Sequence, residues 1–400
     1  MKKSFLLVIL IVITGYFTQA QRQCIENVVL SLGKKEIPLA KRLMDNECFP
    51  GNESNADVWL ARATVYIQFY EYEQERKKRD QKYVIKSPDA LIIANESFYK
   101  AIELKPDIKA TVGLFDPKEG QLITAEPISL MAAAAMDKKD YLEAIKLLNM
   151  VIRSYKVAQR GYTLYLGYAY VDLANCYKAL GDEENYKKVL SEATKLGLPL
   201  PDLYLNLYDI YKQEKDTVKC GEILVLARKA INDSLAIDVK AYELDYFAMI
   251  GDTSKLKKAA LKMFEEYRNN PTVISIIATH LINNKDYLLA EELLNAGLAI
   301  APNDFDLNQQ MAYRYYNEAA DWEVVKDAKL NERPRKFTEA EEALNKANKC
   351  LEMGLEWIEK AYKIRQEDMH NNIMYLRTLV RLQKPIPDGL QEKVDSYRKN

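Results

Sequence analysis

Apolar residues recur at helical spacing along most of the chain, in paired segments separated by short polar turns. The clearest pair runs from Pro271 to Asp304. Ile274, Ile277, Ala278 and Leu281 form an i, i+3, i+4, i+7 stripe on a first helix. Asn284-Lys285-Asp286 makes the turn, and Asp286 is placed to cap the second helix by accepting from its free N–H groups. That second helix carries Ala290, Leu294 and Gly297, with Pro302 ending the unit. Small residues let two helices approach closely, and the proline stops continuation. Such a pair cannot bury its stripe alone, so it must stack on neighbours.

The same pattern recurs in phase. Units begin at 167, 201, 237, 271 and 305, spaced by 34, 36, 34 and 34 residues. The spacing predicts units over 167–200, 201–234, 237–270, 271–304 and 305–366, preceded by units near 56–106 and 125–158. Turns are expected at Lys139-Asp140, Gly181-Asp182, Lys215-Asp216 and Gly251-Asp252. The fifth unit is the least faithful, because Lys240 stands where the other first helices favour an aromatic. Residues 21–55 read as an N-terminal helical cap and 367–400 as C-terminal capping helices.

Three stretches interrupt the repeat. In the first unit Trp59, Arg62, Ala63 and Tyr66 open a helix whose partner appears only at Ala94, Phe98 and Ala101, so residues 70–88 form an insertion. There Glu73 precedes Lys77 and Glu75 precedes Arg79 at i+4, which predicts a solvated, salt-bridged helix extension. A competing reading takes Arg76-Lys77-Lys78-Arg79 as a basic patch for nucleic acid or anionic lipid; the interleaved carboxylates weigh against it. Residues 106–124 show no sustained period and read as a long connection, with the second unit opening at Ala125. In the seventh unit, residues 322–353 separate Met311, Ala312 and Tyr315 from the partner helix around Gly354, Ile358 and Ala361.

Composition narrows the function classes. With 48% hydrophobic and 29% charged residues the chain can build a core, and a net charge of -1 argues against nucleic acid held by bulk electrostatics. Lys2 and Lys3 precede an apolar run from Phe5 to Ile13, and Thr18-Gln19-Ala20 offers a small-x-small site. This is the pattern of a signal peptide over residues 1–20 cleaved after Ala20, leading to the periplasm or cell surface. Gln21-Arg22-Gln23 lacks the small apolar residues of a lipid-attachment site before Cys24, and no later stretch is long and apolar enough for a transmembrane span. The cysteines, at 24, 48, 176, 220 and 350, are odd in number. Cys24 and Cys48 flank the first helical pair and can be joined; Cys220 reads as a core position.

No nucleophile elbow, zinc-protease pair, phosphate loop, dinucleotide fingerprint or metal-ligand spacing occurs, so neither cofactor nor metal is expected. His280 and His370 are far apart, and Glu265-Glu266, Glu291-Glu292 and Glu341-Glu342 sit at i+1 on polar faces, where side chains diverge. These acid pairs read as solubilising. Most of the 27 tyrosines fall at helical spacing and read as packing, although Tyr313, Tyr315 and Tyr316 together can form an aromatic ledge.

These motifs resemble the tetratricopeptide repeat family over residues 56–366, and with the signal pattern the chain looks like secreted members of the Gram-negative envelope. The resemblance implies an all-α, right-handed superhelical solenoid of about seven units whose concave groove receives an extended peptide or a partner helix. It implies no reaction. In the family, first-helix positions two, five, nine and twelve line the groove. Carried over, they place Asn175, Lys178, Asp202, Asp209, Lys212, Asp238, Asp245, Thr279, Tyr313 and Tyr316 on the groove face or its edge. The family's carboxylate clamp is not reproduced, and only Asn175 is reminiscent of it. The four aspartates, opposed by Lys178 and Lys212, suggest a neutral or basic peptide; a plain solvated face explains them as well. The expectation is a non-enzymatic protein- or peptide-binding scaffold. A glycan- or cell-wall-binding accessory protein is the alternative, and an unrecognised hydrolase a remote one.

Overall fold

Five turns between paired helices share one backbone device. The residue before the capping aspartate takes the left-handed conformation: Lys139 (φ 61), Gly181 (φ 72), Lys215 (φ 60), Gly251 (φ 70) and Lys285 (φ 63). The next N–H, that of Asp140, Asp182, Asp216, Asp252 or Asp286, returns to the carbonyl five residues back at 2.9–3.0 Å, which satisfies an orphan acceptor of the first helix. Each of these aspartates then accepts from the N–H three residues on, at 2.9–3.4 Å, and so starts the second helix. One dipeptide ends one helix and begins the next.

The computed structural model describes residues 19, 21–110, 113–158, 163–232 and 237–397. The expected signal peptide and its cleavage site lie outside the described residues, apart from Gln19. All regular structure among the described residues is helical, and no described helix is long and apolar enough to cross a membrane. The fold is all-α and of the tetratricopeptide type, and it divides into two compact units, Met1–Ile210 and Tyr211–Asn400.

The first unit contains α1 (residues 21–33), α2 (Ile37–Leu43), α3 (Ala56–Arg79), α4 (Ala90–Leu104), α5 (Pro117–Asp137), α6 (Tyr141–Ala158), α7 (Thr163–Ala179), α8 (Glu183–Lys195) and most of α9 (Pro201–Gln213). Val28, Ala40, Met44, Leu60, Phe98 and Ala101 share one buried cluster that ties α1 and α2 to the first pair. A disulfide joins Cys24 of α1 to Cys48, with the two Cα atoms 5.6 Å apart. Closing such a loop stabilises by about 3 kcal/mol on chain-entropy grounds.

Two expectations in this unit need correction. The connection expected over 106–124 ends at Asp116, because this side chain accepts from the N–H groups of Lys118 and Glu119 at 3.0 and 3.2 Å, with Pro117 at the first helical position. Gly120 then lets α5 approach α4: a Cβ there would fall 2.3 Å from the Phe98 ring. The insertion also differs. Glu73 does not pair with Lys77; it is 1% exposed and accepts from the N–H groups of Lys86 and Ser87 and from the Tyr83 hydroxyl at 2.8–3.0 Å. Lys77 instead donates to the carbonyls of Gln81 and Tyr83, while Glu75 does reach Arg79, at 3.9 Å. A buried carboxylate thus pins the returning loop onto α3.

A second polar device sits deeper. Asn95, Gln121, Thr124 and Ser154 are fully buried. The Asn95 amide donates to Thr124 and Ser154, both at 2.8 Å, Ser154 donates to Gln121 at 2.7 Å, and Gln121 donates to the Asn95 carbonyl at 2.6 Å. These bonds fix the mutual register of α4, α5 and α6.

The second unit contains α10 (Thr217–Ala230), α11 (Ile237–Met249), α12 (Thr253–Tyr267), α13 (Pro271–Asn283), α14 (Tyr287–Ile300), α15 (Phe305–Asn331), α16 (Phe337–Ile364), α17 (Met369–Arg381) and α18 (Leu390–Tyr397). The first helices α11, α13 and α15 lie side by side, and Ile274, Ile277, Ala278, Leu281, Ala290 and Leu294 all join one core. The stretch read as an insertion lengthens both helices of the last pair, to 27 and 28 residues. Glu291 is not merely solubilising: it is 2.7 Å from Arg314, whose 5% exposed guanidinium also meets Glu318 at 2.6 Å. The pair desolvates the cation only where two carboxylates are in place.

Candidate functional site

In the first unit the candidate face is carried by α7 and α9. Tyr168, Asp172 and Asn175 form an i, i+4, i+7 row on α7; Tyr168 and Asn175 are exposed and Asp172 is half-buried. Asp172 has no ion-pair partner among the described residues, and burial pushes its carboxyl above the ordinary range. Burial, with the Asp172 charge added, takes the neighbouring Cys176 thiol up to about 11, so this cysteine is inert. Lys178 is exposed and its ammonium lies 5.6 Å from the Tyr186 ring centre. The Tyr186 hydroxyl is pushed up by burial and by the carboxylates of Glu183 and Asp209, which places Asp209, half-buried on α9, close to the same ring. Asp202 is exposed in the first turn of α9. Asp172 was not among the family-derived positions; the signal available in the sequence was its i−3 relation to Asn175.

In the second unit the predicted residues come together at the last turn of α9, α11 and α13. The Lys212 ammonium donates to both carboxylate oxygens of Asp245, at 2.8 and 2.7 Å. His280 is close enough to sense both charges. Asp245 is therefore not a bare acid: of the two lysines expected to oppose the four aspartates, Lys212 is committed to this one. Asp238 stands exposed in the first turn of α11, and Thr279 spends its hydroxyl on the carbonyl of Ser275, 2.9 Å away in its own helix.

The tyrosines of α15 do not form a common ledge. Tyr315 is buried and donates to Glu291 at 2.9 Å; burial first, then this bond, takes its hydroxyl up to about 12. Tyr313 and Tyr316 are half-buried against the core built with α17. Burial, Asp368 and Tyr316 push the Tyr313 hydroxyl up, and Gln309 on the same face donates to Asp368 at 3.1 Å. The start of α17 thus covers this part of the face.

The irregular fifth repeat opens a cleft of about 500 Å³ beside α11. Lys240, in the place of an aromatic, donates to Glu266 and to the Tyr267 hydroxyl, and Arg228 pairs with buried Glu243. Its charges satisfy one another.

No family model matches the chain, and no curated protein matches it. Solved structures do. Yeast Tom70 is 10% identical, over 94% of this chain and 85% of that one, with a TM-score of 0.35. The Pseudomonas aeruginosa pilF structure is 15% identical, over 63% and 93%, with a TM-score of 0.27. The TPR2AB domain of yeast Sti1, solved as a complex with pHSP90, is 17% identical, over 81% and 98%, with a TM-score of 0.23. At these identities the likeness is one of fold, and the scores add nothing to what the helical pairs and their turns already show.

Proposed function

We propose that this protein is a non-catalytic binding scaffold that holds a protein or peptide segment along the face of its first helices. The observation that carries the reading is Asp172, a half-buried carboxylate with no ion-pair partner among the described residues, set in one row with exposed Tyr168 and Asn175. Sequestering an acid without a counter-charge costs free energy unless something donates to it. An extended peptide offers suitable donors in its backbone N–H groups and in lysine or arginine side chains. Asp209 and Asp202 on α9 extend the preference for neutral or basic segments.

We assign the scaffold to the periplasm or cell surface. The support is the charged and apolar pattern ahead of Ala20, together with the Cys24–Cys48 disulfide, a bond that persists in oxidising compartments. Peptide-display selection against the purified protein tests the binding reading. The selection should include neutral or basic peptides that lose affinity for an Asp172→Ala, Asp209→Lys variant. A selection in which no peptide is weakened by these substitutions would overturn it.

A further inference from the structure

A cavity with an excess of positive charge lies beside the C-terminal half of α3. A cleft of about 570 Å³ opens between α2, α3 and the returning loop of residues 80–89. Lys41, Arg42, Arg76 and Lys86 line it, against the single carboxylate of Asp45. Asp45 is already engaged: Lys41 is 2.7 Å away, and the Tyr66 hydroxyl donates to it at 2.9 Å. Arg42, Arg76 and Lys86 have no ion-pair partner among the described residues and are exposed. We propose that this cleft binds an acidic peptide segment through its carboxylates, an inference that does not depend on the function proposed above.

The walls are fixed before any ligand arrives. The disulfide at Cys48 braces the segment that follows α2, and Glu73 holds the loop that carries Tyr83 and Lys86. The chemistry of the remaining donors selects the class of ligand. A compact phosphate site draws on backbone N–H groups of a loop, but here those of Lys86 and Ser87 are taken by Glu73. A sugar would need open aromatic faces; the Arg76 guanidinium already lies 4.8 Å from the Tyr83 ring centre and 5.7 Å from that of Tyr72, and it donates to the Tyr72 hydroxyl at 3.1 Å. What is left is three cations on three separate elements, two of them guanidinium forks matched to carboxylates. Carboxylates spaced along one peptide meet that arrangement.

Fluorescence anisotropy with a labelled decaglutamate peptide tests the proposal on the whole protein. Binding should be seen, should weaken with added salt, and should fall by about tenfold or more in an Arg42→Glu, Lys86→Glu variant whose circular dichroism is unchanged. Both side chains are exposed, so the variant should fold. Absence of binding, equal affinity in the variant, or tighter binding of a sulfated oligosaccharide of equal charge would overturn it.

Discussion

Lys212 and Asp245 form a two-point ion pair, ammonium to both carboxylate oxygens at 2.8 and 2.7 Å, beside the half-buried imidazole of His280. Burial pushes the His280 pKa below its ordinary value, with Asp245 opposing the shift and Lys212 adding to it. An NMR titration should therefore find a midpoint below about 6.5, the value of an unperturbed histidine. Asp245→Asn should lower it further and Lys212→Met should raise it. The unfolded chain takes up this proton first, so the contribution of neutral His280 is full above about pH 6.5 and declines as the pH falls through that value. A midpoint at or above about 6.5 in the unsubstituted protein would mean that burial does not outweigh the Asp245 charge at this imidazole.

The loop pinned by Glu73 gives a second pH-dependent signature. Burial raises the carboxyl, but the N–H donors of Lys86 and Ser87 and the Tyr83 hydroxyl outweigh it, and the net shift is downward. The loop should hold at every pH above about 4.3, the unfolded value, and loosen as pH falls through the lower folded one. Glu73→Gln removes the charge from these bonds, each worth about 1.5–3 kcal/mol when charged. Faster hydrogen exchange at the Lys86 and Ser87 amides is expected, with the rest of α3 little changed.

The helical turns make a pair of opposite predictions. Lys285 adopts φ 63 with a side chain, while Gly181 adopts φ 72 with open space around it. Lys285→Gly should stabilise its helical pair by about 1 kcal/mol and Gly181→Ala should destabilise by about as much, since left-handed backbone disfavours a Cβ. Slower amide exchange across α13 and α14 in the first variant, and faster exchange across α7 and α8 in the second, would show this. The same sign in both would mean that the turn geometry is not what limits these pairs.

How much was legible follows from how local each determinant is. Asp286 and Asp252 announce their helices because an aspartate cap acts on an N–H three residues away, and a period near 34 residues carries the pairing. Glu73, Asn95 and Arg314 carry no such local mark. Each looks like a surface residue in sequence, and each is buried by partners that lie elsewhere in the chain: Lys86 and Ser87, Ser154, and Glu291. The start of α5 was hidden for a related reason. Gly120 carries no apolar side chain to mark a helical period, yet it is there for the approach of the Phe98 ring. On the candidate face, the family positions located Lys212 and Asp245 but not their mutual neutralisation, which depends on the approach of α11 to the last turn of α9.

Stacked pairs should also unfold together. Ala278 is fully buried in a core shared with α11, α12, α14 and α15. Ala278→Pro, at a cost of about 3 kcal/mol or more, should accelerate hydrogen exchange in those neighbours as well as in α13. Damage confined to α13 and α14 would mean that the pairs are energetically independent.

Photo-crosslinking of a display-selected peptide, compared between the first helix α7 and the second helix α6 of the preceding pair, tests the scaffold reading most directly. A benzoylphenylalanine in place of Tyr168 lies on the α7 face, and one in place of Leu142 lies on α6; the native side chains are 53% and 72% exposed. The account predicts strong crosslinking from position 168, abolished by Asp172→Ala, and little from 142. Equal yields at the two positions, or a yield at 168 that survives the loss of Asp172, would contradict it.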